Sequence, residues 1–262
     1  MTQEPKTALI TGASSGIGAA FARHFASSGY HLILVARRRQ QLDALAEELR
    51  TRHSVAAEVL VADLSKPPDV QRVEERITSL PALEMLINNA GFGTMGHFRK
   101  IDIARQLDMI HVHVIASVRL TRAALPQMVV RRSGSVINVS SLSAFIPMPN
   151  SVTYSATKAY LITFTQGLAK ELARTGVRVQ ALCPGFTYTE FHDTPEFEKF
   201  ERSKVSRGLW MSAEDVVTES LRGLEGNRPV CIPGRKNRLL QHLLHSPLGP
   251  LLVWALARKR WE

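Results

Sequence analysis

The sequence is short of cysteine, of long apolar runs and of acidic residues, and each shortage closes off a class of protein. Cys183 and Cys231 are its two cysteines in 262 residues, with no Cys-x-x-Cys or Cys/His cluster around either. That excludes a structural zinc site and an oxidised secreted framework, and it fits a reduced, cytoplasmic chain. The longest weakly interrupted apolar stretch, Leu248–Ala257, is ten residues. A membrane-spanning helix needs roughly 20. Met1–Lys6 is polar and offers no apolar centre for a signal peptide. Asp and Glu number 23 against 33 Lys and Arg, a net charge of +10. Such a surplus calls for nucleic acid, an anionic membrane surface or an anionic small ligand. The rest of the composition, 45% hydrophobic and 21% charged, suits one large packed core and excludes a disordered or fibrous chain.

Short apolar runs alternate with stretches of helical periodicity. The pattern predicts strands at 6–11, 31–36, 56–62, 84–88, 134–140, 176–183 and 229–232. It predicts helices at 16–28, 39–52, 70–79, 103–130, 152–175 and 213–225, and loops at 147–150 and 184–209. Runs such as Leu32-Ile-Leu-Val35 are apolar at every position, as parallel strands covered by helices on both faces must be. The fold class is therefore α/β, a doubly wound sheet, with no repeat or linker dividing it.

The first predicted strand runs directly into Thr11-Gly-Ala-Ser-Ser-Gly-Ile-Gly18 and then into a helical pattern. Glycines there allow a tight turn and close backbone approach, and the free amides of a helix N-terminus favour a pyrophosphate. The second strand ends in Val35-Ala-Arg-Arg-Arg39, where an acid would grip the ribose 2′-hydroxyl of NAD. Ala36 cannot do so. Arg37, and with it Arg38, has the charge and the fork of donors that suit a 2′-phosphate, so NADP(H) is the expected cofactor.

These motifs resemble those of the short-chain dehydrogenase/reductase family over residues 5–235. Thr11–Gly18 is similar to its cofactor turn, Asn88-Asn-Ala-Gly91 to its fourth-strand motif, Tyr154-Ser-Ala-Thr-Lys158 to its Tyr-x-x-x-Lys, and Pro184-Gly185 to its motif after the sixth strand. The resemblance implies a Rossmann fold with a seven-stranded parallel sheet, and a homodimer or homotetramer. It implies cofactor contacts from Gly12, Ser14, Ser15, Gly16, Ile17 and Gly18; from Asp63 and Leu64 at the adenine; and from Asn88, Asn89, Ala90 and Gly91. Pro184, Gly185, Thr187 and Thr189 would serve the nicotinamide end, while Tyr154 and Lys158 also touch the cofactor. Asp63 and Thr189 could equally be helix caps.

Tyr154 and Lys158 lie four apart on a predicted helix, hence on one face. A neighbouring ammonium and a cationic nicotinamide would lower the tyrosine from its ordinary value near 10. Tyr154 is then a general acid–base. Family spacing places the serine partner thirteen residues earlier, which selects Ser141 over Ser140 and Ser143, and its hydroxyl would polarise a substrate carbonyl. Where the family carries an asparagine in its long fourth helix this chain has His113. It is either a relay residue that holds a water through a ring nitrogen or a satisfied buried histidine.

Phe186, Tyr188, Phe191, Phe197, Phe200 and Trp210 crowd the segment 186–212, which the resemblance makes a substrate lid. Aromatics there favour a small hydrophobic ketone, aldehyde or secondary alcohol, with Phe197 and Phe200 read as lid packing. Residues 1–234 form the dehydrogenase domain and 235–262 a basic amphipathic extension, read as packing within the oligomer rather than as a peripheral membrane contact. The extra charge is now localised: +6 from Arg228 onward and +3 at Arg37–Arg39 account for nine of the ten. No basic stripe interleaved with aromatics supports nucleic-acid binding. The function expected is hydride transfer between NADP(H) and a carbonyl or alcohol; the alternative is a catalytically silent NADPH sensor on the same fold.

Overall fold

A computed structural model describes residues 6–198 and 200–244. Its sheet has seven strands, all parallel: β1 (Thr7–Thr11), β2 (His31–Ala36), β3 (Ala57–Val61), β4 (Leu83–Asn88), β5 (Ser135–Val139), β6 (Arg178–Leu182) and β9 (Val230–Cys231), in the order β3-β2-β1-β4-β5-β6-β9. The order reverses between β1 and β4, and at such a switch point a crevice opens beyond the strand ends. Each of the seven expected strands is present, with ends within two residues of the sequence reading.

Alternation along the strands divides the core. Ala8, Ile10, Leu32 and Leu34 face one side, packing on α1 (Gly16–Ser27), α2 (Arg39–His53) and α7 (Ala213–Glu225) through Phe21, Leu42 and Val216. Leu9, Ile33 and Val35 face the other, against α3 (Pro67–Thr78) and α5 (Ser117–Arg131) through Val73 and Leu120. The helix α6 (Val152–Glu171) lies on this second side, where Leu172, just beyond its end, joins the same core. Because both faces are covered, β1 is buried at all five positions, which explains its unbroken apolar run.

The stretch expected as one helix over 103–130 is α4 (Ile103–Ile110), a π-helical turn at His111–Ala116, and α5. One wide turn re-aims the side chains that follow, a device common at functional sites, and apolar periodicity carries no trace of it. The segment 184–209 is bridged by a two-stranded ribbon of β7 (Phe186–Thr187) and β8 (Trp210–Met211). Beyond β9, α8 (Arg235–Leu244) packs on the turns at 142–145 and 207–209. The expected domain boundary at 234 thus falls just before Asn237, which is 3% exposed; the rest of the extension, 245–262, lies outside the described residues. Among the described residues no helix is long and apolar enough to cross a membrane.

Candidate active site

The site gathers at the C-terminal ends of β1, β4, β5 and β6. Gly12 and Gly16 adopt φ of +65° and +55°, open to glycine at little steric cost. Gly18 is needed for closeness: a Cβ there would stand 2.3 Å from the Gly12 carbonyl oxygen. Thr11 stitches the turn to the loop after β4. Its Oγ1 donates to the Ile87 carbonyl (3.2 Å) and accepts from the Asn89 and Ala90 amides (2.9 and 3.0 Å), while Asn89 Nδ2 donates to the Thr11 and Gly12 carbonyls. Ser15 opens α1 without a side-chain cap, and no acid sits in the first turn. The first-turn amides, which have no intrahelical acceptor, are left for an anion. Together with Gly12 and Gly18, this fits the pyrophosphate of a dinucleotide.

Asn88 departs from the sequence reading. Its side chain turns into the core, donating to Asn138 Oδ1 (2.8 Å) and Thr121 Oγ1 (3.0 Å); Asn89, one residue on, faces the turn. A period of two in a strand makes neighbours face opposite ways. Asp63 serves its own turn, with Oδ1 accepting from the Ser65 amide at 3.0 Å, and Leu64 is buried. Of the arginines at the end of β2, Arg38 rather than Arg37 lies on the glycine-rich turn, donating to Ser14 and Ser15. Arg37 is exposed beside it.

Ser140 and Ser141 follow β5 and diverge. The Ser140 hydroxyl donates to the Lys158 carbonyl at 2.7 Å and is buried. Ser141 caps the turn at 142–145, its Oγ accepting from the Ser143 amide at 3.1 Å, so its proton points to the Tyr154 hydroxyl or to a ligand placed between them. Tyr154 stands on the first turn of α6 with its hydroxyl beside those of Ser141 and Ser143. Lys158, 4% exposed, donates from Nζ to the Val139 carbonyl at 2.9 Å and lies 5.7 Å from the centre of the Tyr154 ring.

Burial dominates the electrostatics. It pushes Lys158 down to about 7 and Tyr154 up to about 12, the latter opposed by the two serine hydroxyls. Burial thus pulls Tyr154 against the lowering expected from Lys158: desolvation of the phenolate outweighs the neighbouring groups. His113 is 1% exposed. Its Nε2 accepts from the Phe92 amide at 3.1 Å and its Nδ1 meets Thr157 Oγ1 at 2.9 Å, while that hydroxyl donates to the Tyr154 carbonyl at 2.9 Å. These partners assign the proton to Nδ1. Burial and the Lys158 charge hold His113 well below the usual histidine value. Both ring nitrogens are engaged, which is the satisfied buried arrangement and leaves no nitrogen for a relay water.

Pro184 and Gly185 follow β6, and Thr187 is buried with its hydroxyl on the Gly185 carbonyl at 3.1 Å. Thr189 caps a short turn, accepting from the Phe191 amide at 3.3 Å. Phe186, His192, Phe200, Trp210 and Tyr188 stack on one another, whereas Phe191 lies on the Tyr154 ring with centroids 5.8 Å apart. Phe197 and Phe191 rest against Gly93, where a Cβ would come within 2.6 Å of the Phe197 ring. Ion pairs fasten the lid on two sides, Arg38–Glu190 (2.8 Å) and Arg105–Glu196. Thr157, Glu190 and Asn237 were not foreseen from sequence. Asn237 sits over Gly185, where a Cβ would lie 2.7 Å from its Nδ2.

A phenol able to exchange a proton, set at the same sheet edge as an anion-binding turn, is the arrangement of a dinucleotide-dependent oxidoreductase. The chain belongs to the short chain dehydrogenase family, whose model matches residues 6–198. It is similar to a solved short-chain dehydrogenase from Sphingobium yanoikuyae in complex with NADPH (35% identity, 97% of this chain and 93% of that one, TM-score 0.81). A bulky-bulky ketone specific alcohol dehydrogenase from Comamonas testosteroni is 34% identical over 92% of each chain, TM-score 0.78. Sulfoacetaldehyde reductase 2 of Chromohalobacter salexigens is 39% identical over 70% of this chain and 73% of its own length.

Proposed function

We propose that the protein transfers hydride between NADP(H) and the carbonyl or secondary alcohol of a small hydrophobic substrate. The observation that carries this is the meeting of the Ser141, Ser143 and Tyr154 hydroxyls above buried Lys158. When bound, the cofactor supplies or accepts the hydride. Ser141, held in place by the Ser143 amide on one of its two lone pairs, donates to the substrate oxygen. Tyr154, pushed up to about 12, holds its proton until an alkoxide develops beside it and then gives it up, leaving a phenolate; in the oxidative direction it is this phenolate that takes the alcohol proton. Lys158 holds the tyrosine's face and would orient the cofactor's ribose. His113, neutral and fully bonded, positions Thr157 and the Phe92 loop. The resemblance to the NADPH-bound dehydrogenase and the arginines after β2 support NADP(H). Phe191 over Tyr154 and the similarity to a ketone-specific dehydrogenase support an apolar substrate. Exposed Ile103, Leu107 and Ile110 along one face of α4 support a homodimer or homotetramer.

The test is a panel of apolar ketones and alcohols followed by NADPH absorbance, with Tyr154→Phe as control. Turnover that the Phe variant loses by at least about a hundredfold is expected. Tight NADPH binding with no turnover on any member would favour the silent sensor.

A further inference from the structure

Arg38 is claimed from two sides. On one side its Nε and Nη2 donate to Ser14 Oγ at 3.2 and 3.0 Å, and Nη2 to Ser15 Oγ at 2.7 Å. On the other its Nη1 donates to Glu190 Oε2 at 2.8 Å, across 152 residues of sequence. Ser14 and Ser15 belong to the cofactor turn; Glu190 belongs to the start of the lid. The approach is close, because the Thr189 side chain lies directly on Gly16, where a Cβ would come within 3.0 Å of its Cγ2. The lid therefore delivers a carboxylate to the turn. Arg38 in return holds Glu190 below the usual carboxylate range, so the side chain is charged at neutral pH. Arg37 and Arg39, on either side, have no acid partner among the described residues.

A guanidinium fork binds carboxylate and phosphate with the same donors. We propose that Glu190 is a residue governing cofactor choice: its carboxylate competes with the 2′-phosphate for Arg38, so a phosphorylated cofactor must displace it and an unphosphorylated one leaves the pair intact. The inference rests on the reading of Arg38 as a 2′-phosphate ligand given above. Displacement brings a second negative charge beside a dianion, so Glu190 narrows the preference for NADP(H) that the arginines alone would create. It also ties the two ends of the cleft together, since the same residue that yields at the adenosine end begins the segment that covers the nicotinamide end.

The experiment measures Kd for NADPH and NADH from nicotinamide fluorescence without substrate, for the wild-type chain, Glu190→Gln and Arg38→Ala. The glutamine variant keeps size and removes charge. It should tighten NADPH by about three- to fivefold, the scale of an exposed ion pair, leave NADH within about twofold, and lose its advantage at high salt. Equal changes for both cofactors, or weaker NADPH binding, overturn the proposal and make Glu190 a plain lid fastening. Arg38→Ala separates the two levels. If it weakens NADPH selectively, the underlying reading stands whatever Glu190→Gln does. If it leaves NADPH unchanged, that reading falls and the competition falls with it.

Discussion

Replacing His113 by leucine tests whether a buried imidazole carries protons or only holds its neighbours. Leucine fills similar space but offers nothing to the Phe92 amide, which the ring now satisfies at 3.1 Å, or to Thr157 at 2.9 Å. An orphaned buried amide costs about 1–3 kcal/mol and the second lost bond about 1 kcal/mol, so the loss is roughly 2–4 kcal/mol. Thr157 keeps its bond to the Tyr154 carbonyl, which limits the damage on α6. The Phe92 loop shifts, and with it Gly91, which is close enough that a Cβ there would stand 2.8 Å from His113 Nε2 and 3.4 Å from Lys158 Nζ; kcat should therefore fall. Glutamine reaches the amide with its carbonyl oxygen and should restore most of the stability and most of kcat. Urea denaturation gives the first quantity, and kcat followed from about pH 6 to 9 gives the second. The pH profile should have the same shape in wild type and Gln variant, because a ring held well below the usual histidine range does not titrate there. A Gln variant with normal stability, low kcat and a displaced profile would refute the reasoning and return His113 to the proton path.

Two further outcomes are expected. Lys158 titrates at about 7 when folded against an ordinary 10.5, so between these values the unfolded chain binds more protons and stability rises with pH. Below about 7 the folded chain carries a buried ammonium. Lys158→Met removes the titration, and melting curves should show wild type gaining on the Met variant from pH 7 towards 10; parallel curves would contradict the depressed value. Gly18→Ala drives a methyl to 2.3 Å from a backbone carbonyl, which should cost about 1–3 kcal/mol as overpacking and abolish cofactor binding in a fluorescence titration. An alanine variant that binds normally would mean that the turn relaxes freely.

The strands were legible because a sheet covered on both faces leaves solid apolar runs, and β2 (His31–Ala36) coincides with its expected span. The Tyr154–Lys158 pair was legible because four residues make one helical turn. Other features were out of reach for identifiable reasons. The π turn at His111–Ala116 changes hydrogen bonding without changing which residues are apolar. Asn88 and Asn89 are the same residue type, and only the pleat of β4 decides that one enters the core and the other the cleft. The pull of burial on Tyr154 depends on how completely the lid and α6 wrap it, which spacing does not encode. That Arg38 would reach the glycine-rich turn and pair with Glu190 was not legible either, because Glu190 is far off in sequence.

Asn237 gives the last described helix a mechanical standing. It is wedged on Gly185 and bonded to the Pro233 carbonyl at 2.9 Å, and α8 departs from Gly234, a residue with φ of +85°. The helix is thus a lever pivoted at a glycine, its short arm bearing on the turn from Pro184 to Thr187. Arg235 and Lys236 lie between that pivot and the contact, and Arg238 just beyond it is tied to Glu219 (2.8 Å) and to the Ile232 carbonyl (3.0 Å), so a turn of the helix is passed directly to the loop from Pro184 to Thr187.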